Sequence, residues 1–443
     1  MERDEEDAIV ADIQSHGYRR IAIQSSNVSA AARLCTSLQE RFRSSAESRD
    51  FYVLGDVFIG SCCTDVIAAR RCNSDYVIHL GDSCQSFVES PVPIRLSFDR
   101  TAVEGNRLCE YLSANLSNYH YDRLLVAYHP SLHHLVDDLA QLFSNSGTPT
   151  FIAECRDRVG SSSDETDHAG VFCGRRVFCY STEKGKIYVT NDQWLTGDKN
   201  TLVVFITTGA GITEDHLALS SAGCQFHVVR IDNHLMHYNV MDNHADNLRL
   251  RRYHKVEKVQ EASTIGILVI ARTITGSTAL RRALARLLEA KGKRHQIFSV
   301  NCLTEAKLAN MPNIDIFCML SCAESVLSLP DELARRVVYP FELLVALGCI
   351  DWSTPYEFDF VKLLRHIPDV DTSNKATANS GEIRRLQGNG AIQPQLDSFM
   401  ETLQDNSKRT FGGVDPSEGL SNEPTILPGF HGIASRYNHE THG

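Results

Sequence analysis

Short apolar runs alternate with stretches in which apolar residues return every three or four positions, and this alternation fills most of the chain. "YRRIAIQ" reads as a strand, "AAARLCTSLQERF" has helical spacing, and "FYVLGDV", "TDVIAARRC" and "DYVIHLGDSC" follow as strand, short helix and strand. The same order returns as "TIGILVIA", "ALRRALARLLEAKG", "HQIFSV", "EAKLANM" and "IDIFCMLSC", with Gly292 placed to end the long helix. A middle unit reads "DRLLVAYH", "LHHLVDDLAQLFSNSG", "PTFIAE" and "NTLVVFITTGAG", and its polar insertion "DRVGSSSDETDHAG" reads as a surface loop. Strands alternating with helices predict α/β architecture built on parallel sheets. The units divide the chain into three similar domains, 1–118, 119–258 and 259–368. Residues 369–443 are polar and rich in Gly, Asn and Ser, which predicts a largely flexible tail. Its aromatic end, "RTFGGVDP…GFHGIASRYNHE", is expected to dock onto the body.

Composition narrows the class. The 443 residues exceed one ordinary core, and a net charge of −11 argues against a nucleic-acid-binding surface. The acidic start "MERDEEDAIV" is not a secretory signal, and no apolar run reaches membrane-spanning length. The expectation is a soluble, cytoplasmic protein. In that compartment the 14 cysteines are thiols, not disulfides.

No two cysteines stand in C-x-x-C spacing, so a metal site would have to gather ligands from distant segments. Cys84 and Cys322 follow matching third strands, while Cys62 and Cys63 match Cys302 after second strands. Cys63 precedes Cys84 by 21 positions and Cys302 precedes Cys322 by 20. Ligands bind beyond the carboxyl ends of parallel strands, so two units present thiols where binding groups belong. If the units pack about a common axis, those thiols converge. Buried packing is the competing reading, since free cysteine is commonly buried. Adjacent residues of an extended segment point opposite ways, so only one of Cys62 and Cys63 is expected to face a shared site. Cys318 lies within an apolar strand and reads as core; position 325 is Ser, so C-x3-C-x2-C is absent. Asp232, His234, His237, Asp242 and His244 in "DNHLMHYNVMDNH" could bind zinc but read as a solvated His-rich loop. His129 and His133 read as surface or packing residues. Neither a P-loop nor a G-x-S-x-G motif occurs.

"LGDVFIGSCCTDVIAA…DYVIHLGDSC", "LRRYHKVEKVQEASTIGILV", "AKLANMPNIDIFCMLSCAES" before "VVYPFELLVAL", and the tail "RTFGGVDP…HGIASRY" resemble the diphthamide biosynthesis protein 2 family. The resemblance spans about 10–365 plus the tail and is weak through 85–245. It implies three similar α/β domains in pseudo-threefold arrangement around a 4Fe-4S cluster. It implies Cys63, Cys84 and Cys322 as ligands, Cys62 as the alternate for Cys63, and Cys179 of "GRRVFCYS" as a further candidate. It also implies a heterodimer with diphthamide biosynthesis protein 1. That pair transfers a 3-amino-3-carboxypropyl group from S-adenosylmethionine to a histidine of translation elongation factor 2 by radical cleavage. A small zinc-containing electron donor, diphthamide biosynthesis protein 3, reduces the cluster. "ARTITG" and "TTGAGITED" lack the glycine loop and the G-D-G-R-F-H segment of the catalytic partner, which places S-adenosylmethionine mainly on that partner. The chain is then an iron–sulfur subunit that is not self-sufficient. A cluster-free scaffold and a zinc-binding structural subunit are the alternatives.

Overall fold

A computed structural model describes residues 3–368, except 44–47, 56–61, 145–146, 161–169, 182–184, 191–199, 210–211, 233–234 and 302. The tail at 369–443, Gly60, Ser61, His234 and Cys302 therefore lie outside the described residues. The first sheet uses β1 (Arg20–Ser25), β2 (Asp50–Val53), β3 (Tyr76–Leu80) and β4 (Ile94–Ser97) in the order β2-β1-β3-β4, all parallel. The second holds β5 (Arg123–Tyr128) and β6 (Thr150–Glu154), while β7 (Arg158–Val159) crosses over to pair antiparallel with β4. β8 (Val171–Phe172), β9 (Arg175–Ser181) and β10 (Gly185–Tyr188) extend the second sheet beyond β6. β11 (Thr201–Thr207), β12 (Gln225–Asp232) and β13 (Leu235–Val240) complete its other side. The third sheet orders β14 (Thr264–Val269), β15 (Arg294–Ser299), β16 (Ile316–Leu320) and β17 (Val337–Val338) as β15-β14-β16-β17.

The parallel part of the second sheet runs β6-β5-β11-β12, so all three sheets share one strand order. In each, the chain reverses between the first and third strands of the unit, and the crevice beyond those strand ends is where ligands collect. β3, β14 and β16 are buried at every position, as expected for parallel strands covered on both faces. The helix Val28–Phe42 starts at Asn27, whose side chain accepts from the Ala30 N–H at 3.1 Å, and buries Ala31, Leu34, Leu38 and Phe42 along one face. The helix Ser277–Ala290 buries Leu280, Leu284, Leu287 and Leu288, and Gly292 follows its end at φ +70°. Both agree with the helical spacing in the sequence.

Two segments differ from expectation. The polar insertion is not all loop, because its first residues form β7. "DNHLMHYNVMDNH" is not a solvated loop: it ends β12, forms β13 and opens the helix Asp242–Glu261. There Asp242 accepts from the Phe226 N–H at 2.7 Å, and His244 Nε2 lies 2.7 Å from Asp215 Oδ1. Asp242 and His244 cap and pair, and the described residues of this segment form no group that could hold a metal. The acidic start is a helix, Arg3–His16, that buries Ile9 and Ile13. Its Asp12 accepts from Arg95 at 2.6 Å and Arg158 at 2.7 Å, tying β4 and β7 to the helix.

Candidate metal centre

Two loops of the first sheet and one of the third meet at a single buried point. Cys62 and Cys63 follow the segment after β2, Cys84 follows β3, and Cys322 follows β16. Their four Sγ atoms lie within 4.8 Å of one another. Cys63–Cys84 is 3.5 Å, Cys62–Cys322 is 3.7 Å and Cys62–Cys63 is 3.9 Å. Cys62 and Cys63 lie in a turn, not an extended strand, and both thiols face the site. The expectation that only one could do so rested on strand alternation, which the turn removes. Among the described residues, no other three His, Cys, Asp or Glu side chains gather this way.

Backbone contacts fix the loops. Gln24, buried at the end of β1, donates Nε2–H to the Cys63 carbonyl at 2.8 Å and accepts the Asp65 N–H at 2.7 Å. The Cys84 N–H donates to the Cys62 carbonyl at 3.3 Å. Beyond Cys84 the chain pairs with "ARTITG": Thr275 N–H donates to Phe87 O at 2.9 Å, and Glu89 N–H to Thr273 O at 2.7 Å. The backbone of "ARTITG" is thus spent on holding the Cys84 loop against the third sheet.

The middle unit braces the same loop. The Arg156 N–H donates to Gln85 Oε1 at 2.7 Å, Arg156 Nε–H to Gly174 O at 2.8 Å, and the guanidinium sits 3.9 Å from the Phe87 ring centroid. Gly174 has φ +76°, and a Cβ there would stand 1.9 Å from Gln85 O. Thr213 donates to Glu324 Oε1 at 2.6 Å, joining the helix Ile212–Ser220 to the short helix after Cys322. Burial raises the Glu324 carboxyl to about 7.

Cys322 caps that short helix. Its Sγ accepts from the Ser325 N–H at 3.4 Å and lies 3.0 Å from Ser325 Oγ. Hydrogen bonding from Cys62, then from Cys63 and Cys84, holds the Cys322 thiol well below its ordinary range. The same contact with Cys322 pushes Cys62 and Cys63 up.

A cavity of about 410 Å³ opens beside the thiols, lined by Cys84, Cys322, His216, Ser321 and Tyr339 among others. His216 is 4 % exposed, yet neither ring nitrogen has a hydrogen-bond partner among the described residues, and Ser321 Oγ is in the same position. Burial depresses the His216 imidazole to about 3. Orphaned buried polar atoms beside four converging thiols fit a bound group at this point. An all-sulfur donor set suits iron–sulfur chemistry or zinc and is wrong for magnesium or calcium.

Cys179 stands on β9 with Sγ 3.7 Å from Ile187 O and is not in the thiol group. Cys318 is core. His129 caps a turn through Ser131, and His133 packs against Tyr128 and Phe98. Gln24, Gly174 and His216 carry no sequence signal of their own: each acts through a neighbour that only the fold supplies.

A family profile described as diphthamide synthesis protein matches residues 27–357. The chain belongs to that family. It is 23 % identical to the zebrafish (Danio rerio) 2-(3-amino-3-carboxypropyl)histidine synthase subunit 2, over 97 % of this chain and 90 % of that one. The Xenopus laevis protein of the same name is 25 % identical, over 88 % and 82 % of the two chains. The fold is similar to the crystal structure of Dph2 from Pyrococcus horikoshii with a 4Fe-4S cluster: TM-score 0.53 at 16 % identity, covering 80 % of this chain and 92 % of that one. Among the described residues no helix is long and apolar enough to cross a membrane.

Proposed function

We propose that this chain is the iron–sulfur subunit of a heterodimer with diphthamide biosynthesis protein 1. The pair moves a 3-amino-3-carboxypropyl group from S-adenosylmethionine to a histidine of translation elongation factor 2, in the cytoplasm. The observation that carries this reading is the convergence of four thiols from two sheets at one buried point. Cys63, Cys84 and Cys322 would hold a 4Fe-4S cluster, with Cys62 positioned to bind as well; Cys179 would not. When bound, the cluster supplies one-electron chemistry. The domains at 1–118, 119–258 and 259–368 would surround it about a pseudo-threefold axis, an arrangement suggested by their common strand order.

This chain's own residues hold and shield the site. Gln24 and the pairing of "ARTITG" with Phe87–Glu89 fix the thiol loops, and Ser325 stabilises charge on Cys322. Ile274 and Thr275 line the cavity where a glycine loop would let a substrate approach. S-adenosylmethionine would therefore bind mainly on the partner, and this subunit would support reduction or stability of the catalytic one. Diphthamide biosynthesis protein 3 would deliver the electron.

The test is anaerobic turnover with dithionite. The isolated chain should leave S-adenosylmethionine intact, and the reconstituted heterodimer should cleave it. Cleavage by the isolated chain would make it a self-sufficient enzyme and remove the proposal.

A further inference from the structure

We infer that the cluster-free chain takes up one zinc ion in the same four thiols. The geometry carries this. A tetrahedral ion with Zn–S bonds of about 2.3 Å separates its sulfurs by about 3.8 Å. Three pairs here are 3.5, 3.7 and 3.9 Å apart, and no sulfur is more than 4.8 Å from another. A four-iron cube binds each thiolate at a different corner, so its ligand sulfurs stand farther apart than around one ion. Receiving a cluster requires these loops to spread; receiving one ion needs only small adjustments.

The donors also select the ion. Four soft sulfurs favour zinc over the abundant hard cations. Zinc is redox-inactive, so binding involves no electron: each thiol that ligates releases its proton to solvent and forms one Zn–S bond. The four-thiolate complex keeps negative charge, and the Ser325 N–H and hydroxyl are in place to stabilise it at Cys322. Burial of Cys63, Cys84 and Cys322 shields the bonds, while Cys62 is half-buried and offers a way in. A zinc-loaded chain is then closed to iron until the metal leaves.

The probe is cobalt(II), which shares the tetrahedral preference and is coloured. Full-length chain is reduced, freed of metal with a chelator and titrated anaerobically. One cobalt per chain should bind with the intense visible bands of a tetrahedral thiolate site, and one equivalent of zinc should bleach them. Cys62→Ser, Cys84→Ser and Cys322→Ser should each weaken binding at least about tenfold, since even second-layer partners of a metal are worth 10–100-fold. Cys109→Ser, outside the group, should not. Cys62 is the least buried of the four, so that variant keeps the comparison open if the others unfold. Pale, octahedral cobalt, or binding unchanged in Cys62→Ser and Cys322→Ser, would overturn the inference. Iron and sulfide uptake by the zinc-free chain is scored separately: a chain that takes up a cluster but not zinc refutes this inference and leaves the proposed function standing.

Discussion

At the scale of single residues, the site depends on side chains that hold backbone. Gln24 fills two hydrogen bonds at once, one to the Cys63 carbonyl and one from the Asp65 N–H. Gln24→Leu keeps the volume and leaves both backbone groups buried without that partner, at a cost of about 1–3 kcal/mol. Denaturant unfolding should show that loss, and metal binding should weaken with it; unchanged stability would mean that water replaces the amide. The thiols Cys63, Cys84 and Cys322 were legible in the sequence because strand-end cysteines recur in two units. The orientation of Cys62 was not. Strand alternation is a sound rule only where the backbone is extended, and at Cys62 it turns. His216 was equally hidden: an isolated histidine in a helix gains meaning only when its ring is buried beside thiols with no partner among the described residues.

At the scale of elements, the periodic segments were the readable ones. Val28–Phe42 and Ser277–Ala290 carry strong apolar stripes, and the largely apolar β3, β14 and β16, buried throughout, read as strands. The fourth strand of each first and third unit was not legible. β17 has two residues, and β4 follows a proline-rich turn, so neither shows a period. β7 escaped notice because a two-residue strand is defined by its partner alone. Gly174 joins the middle unit to the Cys84 loop at φ +76°, against Gln85 O. Gly174→Ala should cost at least about 1–3 kcal/mol from backbone strain alone and lower metal occupancy; full occupancy and wild-type stability would show that this contact is not needed. The helix Asp242–Glu261 gives a pH signature. Burial, then repulsion from Arg252, depresses the Lys255 ammonium to about 8, while its Nζ–H donates to Val337 O at 2.9 Å. An unfolded lysine titrates near 10.4, so the unfolded chain binds more protons between pH 8 and about 10.4. Folding stability from this group therefore rises as pH climbs through that window. Relative to Lys255→Met, the wild type should gain stability between pH 8 and 10; a flat difference in melting temperature would contradict the assignment.

At the scale of the whole molecule, the described residues form three sheets of common strand order, and the thiol site lies where the ends of the first and third are held together. The repeat of strand and helix in the sequence predicted that α/β plan. What it could not supply were the braces between units, such as Arg156 to Gln85 and Thr213 to Glu324, since these join residues 71 and 111 positions apart. The middle unit adds no thiol to the group, yet its contacts set the position of two loops that do. Cys63, Cys84 and Cys322, with Cys62 beside them, are proposed to hold an iron–sulfur cluster. Iron and acid-labile sulfide measured per chain after anaerobic reconstitution test it most directly. Iron and sulfide should appear in equal amounts, one 4Fe-4S equivalent per chain, sharply reduced in Cys84→Ser and in Cys322→Ser and most reduced among the tandem variants in Cys62→Ser/Cys63→Ser. An iron-free wild type, or wild-type iron in both Cys84→Ser and Cys322→Ser, would contradict it.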